Sequence, residues 1–250
     1  MQSSPTVRDL YVDLLTRAIA NTIYEDPSMD PWHQSTYDGA TRTEGRDWPR
    51  SAHSMAGMER LQNLQRLVQL TLDEHIPGDY IETGVWRGGC CILMRGVLAA
   101  NGVSDRRVYV ADSFEGLPPP KPDMFPADAK DKHHTHPELA IGVDQVKANF
   151  DKYGLLDSQV VFVKGFFEHT LPKLEAKSFA LIRLDGDMYQ STIEALDALY
   201  PKLSAGGYCV IDDYGAVPGC RKAVEDYLRR EHIEAQIIRI DWTGAYWQKR

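Results

Sequence analysis

The chain has 250 residues, 43% of them hydrophobic and 26% charged, which argues against a disordered or membrane-embedded class and is enough for one α/β domain with helices on both sheet faces. A formal net charge of -8 argues against a nucleic-acid partner, because phosphate neutralisation needs clustered Lys and Arg. Asp9, Asp13 and Arg17 interrupt the first apolar stretch, so it lacks the uncharged core of a signal peptide, and no later run approaches membrane-spanning length.

Leu10, Leu14, Leu15 and Ile19 recur at helical spacing within residues 7–22 and predict an amphipathic helix. Residues 24–50 are rich in Asp, Pro, Gly and Thr without a sustained period, the mark of a long irregular segment and a candidate lid. Helical spacing resumes over 55–72 through Met58, Leu61, Leu64, Leu67 and Val68. Beyond Pro77-Gly78 the chain alternates: strands are predicted at 79–82, 108–111, 160–163, 179–184, 208–211, 236–240 and 245–247, and helices at 89–100, 143–153, 192–203 and 220–230. That order predicts an α/β fold, a doubly wound, mostly parallel seven-stranded sheet. One domain is expected over 1–250, with an N-terminal helical and lid region at 1–78 and an α/β core at 79–250. A second lid is expected at 113–140, rich in Pro and carrying His133, His134 and His136, which read as solvated or substrate-contacting side chains. Cys90, Cys91, Cys209 and Cys220 show no CxxC spacing and read as buried reduced thiols of a cytoplasmic protein.

The first strand runs into Glu82-Thr83-Gly84-Val85-Trp86-Arg87-Gly88-Gly89 and then an apolar helix. Glycines at such a turn let backbone approach a ligand and expose helix N-terminal amides. The spacing is not that of the dinucleotide fingerprint. Asp112 ends the second strand, where a carboxylate can accept from both ribose hydroxyls of a nucleoside. Glu82 beside the glycines would repel a pyrophosphate and attract a sulfonium, so S-adenosylmethionine fits best.

Asp185-Gly186-Asp187 and Asp212-Asp213 each follow an apolar strand directly. Residues just beyond the strand ends of a doubly wound sheet line its crevice, so these carboxylates should converge. Asp also caps helices well, which is the alternative for either cluster alone. Together they predict a hard divalent cation, Mg²⁺ first, on Asp185, Asp212 and Asp213, with Asp187 left as general base. Coordination and a nearby carboxylate are what an aliphatic hydroxyl needs to become a nucleophile.

Taken together, Ala52-His53-Ser54-Met55, Glu82 to Gly89, Ala111-Asp112-Ser113-Phe114, Tyr153-Gly154-Leu155-Leu156, Arg183-Leu184-Asp185-Gly186-Asp187-Met188-Tyr189 and Ile211-Asp212-Asp213-Tyr214 resemble the macrocin O-methyltransferase family. The resemblance implies a Rossmann-like class I methyltransferase that methylates a deoxysugar hydroxyl on a glycosylated macrolide or aminocoumarin. It implies S-adenosylmethionine held by Ser54, Met55, Glu82, Thr83, Gly84, Arg87, Gly88, Gly89, Asp112, Ser113 and Asp185, with adenine near Gly165-Phe166-Phe167. It further implies Mg²⁺ on Asp185, Asp212 and Asp213, Asp187 as base, and a homo-oligomer, dimer or tetramer, with mobile lids. Residues 26–48 and 121–136 depart from the family pattern, and there Trp32, Tyr37 and Trp48 offer stacking surfaces or ordinary packing.

Three other readings compete. A metal-dependent hydrolase would use the aspartates and leave the glycine turn and Asp112 idle. A sensor that binds S-adenosylmethionine without catalysis would have no need of the aspartate set. A catechol O-methyltransferase resembles the metal arrangement but typically has a Lys base, where this chain has Asp187 and Met188.

Overall fold

The computed structural model describes residues 4–32 and 36–250. Residues 33–35, part of the first expected lid, lie outside that description. In chain order the helices are α1 (Val7–Ala20), α2 (Gly39–Glu44), α3 (Gly57–Asp73), α4 (Gly89–Ala100), α5 (Val143–Lys152), α6 (Phe167–Thr170), α7 (Tyr189–Leu199) and α8 (Pro218–Arg230). The strands are β1 (Asp79–Thr83), β2 (Val108–Asp112), β3 (Val160–Lys164), β4 (Phe179–Leu184), β5 (Leu203–Ile211), β6 (Ile238–Arg239) and β7 (Ala245–Gln248).

The strands form one seven-stranded sheet in the order β3-β2-β1-β4-β5-β7-β6. The first five are mutually parallel, and β7 runs antiparallel to both β5 and β6. Successive side chains on a strand point to opposite faces, and the core divides accordingly. Tyr80, Val108, Val110, Leu181 and Val210 face α1, α3, α4 and α5. Ile81, Tyr109, Ala111, Ile182 and Ile211 face α7 and α8. The doubly wound α/β fold is thus the one the alternating pattern predicts.

Several boundaries differ from the sequence reading. Helix α1 is opened by a capping box between Thr6 and Asp9, and it buries Val12, Leu15 and Ile19 while Leu10 and Leu14 stay exposed. The first irregular segment contains α2, capped by Asp38. Helix α7 begins at Tyr189, three residues before the predicted Thr192, because Asp128, distant in sequence, accepts from the amides of Tyr189 (2.7 Å) and Gln190 (2.9 Å). It stops at Leu199 because Pro201 follows and the chain tightens into a 3-10 turn, and β5 then starts at Leu203.

Candidate active site

The parallel register brings the strand ends level. Thr83 pairs with Ala111 and Leu184, and Leu184 pairs with Ile211. The next residues, Gly84, Asp112, Asp185 and Asp212, therefore lie in a row along one edge of the sheet. Backbone bonds lock the row: Gly84 N donates to Ala111 O, Asp185 N to Thr83 O and Asp212 N to Leu184 O, each at 2.9 Å. Gly84 is required here, since its φ is +80° and a Cβ on it would lie 1.7 Å from the Asp185 carbonyl oxygen. The close approach this glycine permits is to the neighbouring strand end. Gly89 behaves likewise, with a Cβ meeting the His53 carbonyl at 2.4 Å.

Carboxylate oxygens of Asp185, Asp212 and Asp213 lie within 4.8 Å of one another. Burial, followed by the charge of Asp212, pushes Asp185 up to about 8. Asp213 is likewise raised by burial and by the carboxylates of Asp187, Asp185 and Asp212. An all-oxygen donor set in which burial and then neighbouring carboxylates raise Asp185 and Asp213 fits a hard divalent cation, which would neutralise the same charge. Asp187 stands beside them with its backbone in the left-handed region, φ 57°, which Asp tolerates better than most residues, and its amide donates to Asp213 Oδ2 at 3.3 Å. Burial raises Asp187 as well, while His133 opposes the shift.

Two arginines underlie this cluster. Arg183, 2% exposed, reaches Glu82 Oε1 at 2.5 Å and Asp185 Oδ2 at 2.7 Å and also bonds Asp212 Oδ1. Arg60 bonds Asp212 Oδ2, Asp241 Oδ2 (2.9 Å) and the Gly45 carbonyl (3.0 Å). Both Asp212 oxygens are therefore engaged, with lone pairs to spare, since an ionised carboxylate offers about four acceptor sites. The Glu82 carboxylate lies beneath the site, bonded to Arg183 and to Cys91 Sγ at 2.9 Å. All four cysteines are free and buried.

Above the row is a cavity of about 530 Å³. Of the residues the sequence pointed to, Met55, Gly84, Asp112, Ser113, Phe167, Asp185, Asp187, Asp212 and Asp213 line it. The Asp112 carboxylate accepts from the amides of Val85 (2.8 Å) and Phe114 (2.7 Å), and burial raises it above the ordinary carboxylate range. Ser54, Glu82, Thr83, Arg87, Gly88, Gly89 and Gly165 do not reach the cavity wall. Ser54 Oγ accepts from the Ala56 amide, and Arg87 donates to the carbonyls of Pro49 and Ala52, tying the first irregular segment to the glycine turn.

Both expected lids form the roof. Arg42, 1% exposed, is held by Asp26 and Asp47, each at 2.8 Å, within the first segment. Trp48 packs edge-on to Trp32 and to His136 of the second, so the two segments meet over the cavity. His133, read from sequence as a solvated or substrate-contacting loop residue, is partly buried on the cavity wall between Asp131 and Asp187, a place that excludes full solvation and leaves substrate contact open. Sequence reasoning also missed Arg183, Arg60, Gln190 and Trp242. The first had a signal: an arginine in an otherwise apolar strand, in register with Glu82 on β1.

A model of the Macrocin-O-methyltransferase (TylF) family matches residues 8–249. The chain is 46% identical over 244 residues to demethyldecarbamoylnovobiocin O-methyltransferase of Streptomyces niveus, covering 96% of this chain and 93% of that protein. It is 49% identical over 243 residues to 8-demethyl-8-(2,3-dimethoxy-alpha-L-rhamnosyl)-tetracenomycin-C 4'-O-methyltransferase of Streptomyces olivaceus, with coverage of 96% and 93%. Among solved structures, that of the O-methyltransferase NovP matches with a TM-score of 0.93 and 46% identity, over 97% of this chain and 99% of that one.

Proposed function

Because the chain belongs to the macrocin O-methyltransferase family, and is thereby an O-methyltransferase that draws its methyl group from S-adenosylmethionine, we propose that its acceptor is a deoxysugar hydroxyl on a glycosylated natural product. One relative is named for a rhamnosyl 4'-oxygen and another for an aminocoumarin, novobiocin, in its demethyl decarbamoyl form. The observation that carries the reading is the single cavity wall shared by Asp112, Asp187 and the cluster of Asp185, Asp212 and Asp213. It gives one chamber a nucleoside acceptor, a proton acceptor and a cation seat.

In this reading the cofactor lies along Gly84, Asp112, Ser113, Phe167 and Met55, with the Asp112 carboxylate, oriented by the amides of Val85 and Phe114, taking ribose hydroxyls. Glu82 contributes at one remove, by holding Arg183 under Asp185 and Asp212. Asp185, Asp212 and Asp213 would hold Mg²⁺, which when bound acidifies a coordinated hydroxyl. Asp187 accepts the hydroxyl proton, and the cavity walls hold the oxygen in line with the methyl group, where much of the acceleration of a displacement arises. The roof shields the reaction from water and contributes Trp32 and Trp48 to the acceptor's end, where Trp242, from the turn between β6 and β7, joins them.

Single-domain organisation is supported by α1 and α3 sharing a core with β1 and β2. Homo-oligomerisation is supported by the exposed Leu10 and Leu14. The free cysteines support a reducing, cytoplasmic setting, and among the described residues no helix is long and apolar enough to cross a membrane.

The test is methyl transfer from labelled S-adenosylmethionine to demethyldecarbamoylnovobiocin and to the rhamnosyl tetracenomycin acceptor, with Mg²⁺ and then with EDTA. Labelling that EDTA abolishes is expected. Asp187→Asn should lower turnover by about 10²- to 10⁴-fold and leave S-adenosylhomocysteine binding intact. Turnover retained in that variant at neutral pH removes Asp187 from the base role, and labelling unaffected by EDTA removes the metal.

A further inference from the structure

The insertion between β2 and α5 brings a pair of side chains to the catalytic wall that the chemistry above leaves without a task. It is pinned to the core by Asp128, 2% exposed, whose carboxylate caps α7 one turn from Asp187. A few residues on, Asp131 binds His133 twice: the His133 amide donates to Oδ1 at 2.9 Å, and ring Nδ1 lies 2.6 Å from Oδ2. With Nδ1 committed, ring Nε2 is turned toward Asp187, 3.7 Å from Oδ1. The groups facing the ring are thus Asp131 and Asp187, while His134 acts on Asp131. The bond from Asp131 and then the charge of Asp187 raise His133 to about 9, so near neutral pH it carries a proton on each nitrogen.

We propose that His133, braced by Asp131, is a positioning residue for Asp187: its Nε2–H holds Oδ1 of that carboxylate and leaves Oδ2 to take the acceptor's proton. The proposal rests on Asp187 being the base. In the step itself the acceptor's O–H proton passes to Asp187 Oδ2, the oxygen's electron pair forms the new O–CH₃ bond, and the breaking S–CH₃ pair stays on sulfur. His133 keeps both of its protons throughout. Because His133 arrives on the insertion, its place beside Asp187 depends on the Asp128 cap that docks that segment on α7.

The arrangement is tested first without any acceptor, by ring ¹⁵N NMR of histidine-labelled enzyme holding Mg²⁺ and S-adenosylhomocysteine, with His133→Gln assigning the resonance. Asp187→Asn should move the His133 Nε2 signal and lower the ring's titration midpoint by about one pH unit, and Asp131→Asn should do the same through Nδ1. A His133 spectrum identical in wild type and Asp187→Asn overturns the proposal. In turnover with the labelled acceptor, His133→Gln should lower kcat by about 10- to 100-fold, the usual cost of losing an outer-shell partner, with KM, cofactor binding and melting temperature unchanged. The same change made in Asp187→Asn should have no further effect. Asp187→Asn with full turnover would sink the base reading, whereas an inactive Asp187→Asn beside a fully active His133→Gln would sink this inference alone.

Discussion

The floor and the roof of the cavity are held by different physics. The floor is a row of strand ends whose spacing is set by backbone hydrogen bonds between β1, β2, β4 and β5, cross-braced from below by Arg183 and Arg60. The roof has little sheet or long helix of its own and, beyond a short backbone bridge between residues 27–29 and 48–50, is held by side chains: Arg42 between Asp26 and Asp47, Asp128 on the α7 amides, His136 against Trp48. A backbone-held floor keeps carboxylates close despite their repulsion. A roof held by side chains can open through local loss of a few contacts, as admitting the proposed glycosylated acceptor would require.

This contrast is broken most severely at Arg183. Arg183→Met leaves Glu82, Asp185 and Asp212 without their shared buried cation, and should cost about 3–5 kcal/mol of global stability, read from urea unfolding. A loss below about 1 kcal/mol would mean that the floor does not depend on that brace.

Metal linkage comes next. Asp185, at about 8, and Asp213, also raised, hold protons in the folded chain that the unfolded chain releases above about pH 4. They therefore lower stability progressively as pH rises from the unfolded value toward the folded one. On the proposed metal assignment Mg²⁺ would compete with those protons, so its stabilisation should be small at pH 6 and largest near pH 8.5, about 2.7 kcal/mol at a hundredfold excess over its Kd. Absence of a shift in melting temperature at either pH would sink the metal assignment, and equal shifts at both would sink the proton competition.

The smallest effect belongs to the roof. Arg42→Lys keeps the charge but loses the planar fork that spans Asp26 and Asp47. It should make opening of the first segment easier by about 1–2 kcal/mol, seen as faster hydrogen exchange and proteolysis there, while the global unfolding midpoint stays put. A matching fall in global stability would show that roof and floor unfold as one unit.

Much of the floor was legible before any coordinates. The apolar strands, the glycine turn, Asp112 and the paired aspartate clusters are local patterns, and parallel register alone brings their ends together. Less legible was the use of each charge. Glu82 reads as a cofactor neighbour because it abuts the glycines, yet strand alternation and register give it to Arg183. Helix α7 reads from sequence as starting at Thr192, and only the Asp128 cap on Tyr189 and Gln190 moves its start. His133 passes for a loop histidine until Asp131 and Asp187 are found on either side of it.

By itself, the sequence determined the strands, the longer helices, and that carboxylates follow three of the strand ends, because hydrophobic periodicity and turn chemistry act over a few residues; the short helices α2 and α6 it did not mark. Only the tertiary structure decided which carboxylate is paired with an arginine, which is left to repel its neighbours, and which histidine meets the proposed base. Those outcomes depend on contacts such as that of Arg183 with Glu82, 101 positions apart in the chain, and of Arg60 with Asp212, 152 apart, and a charge's energy is set by what surrounds it in space.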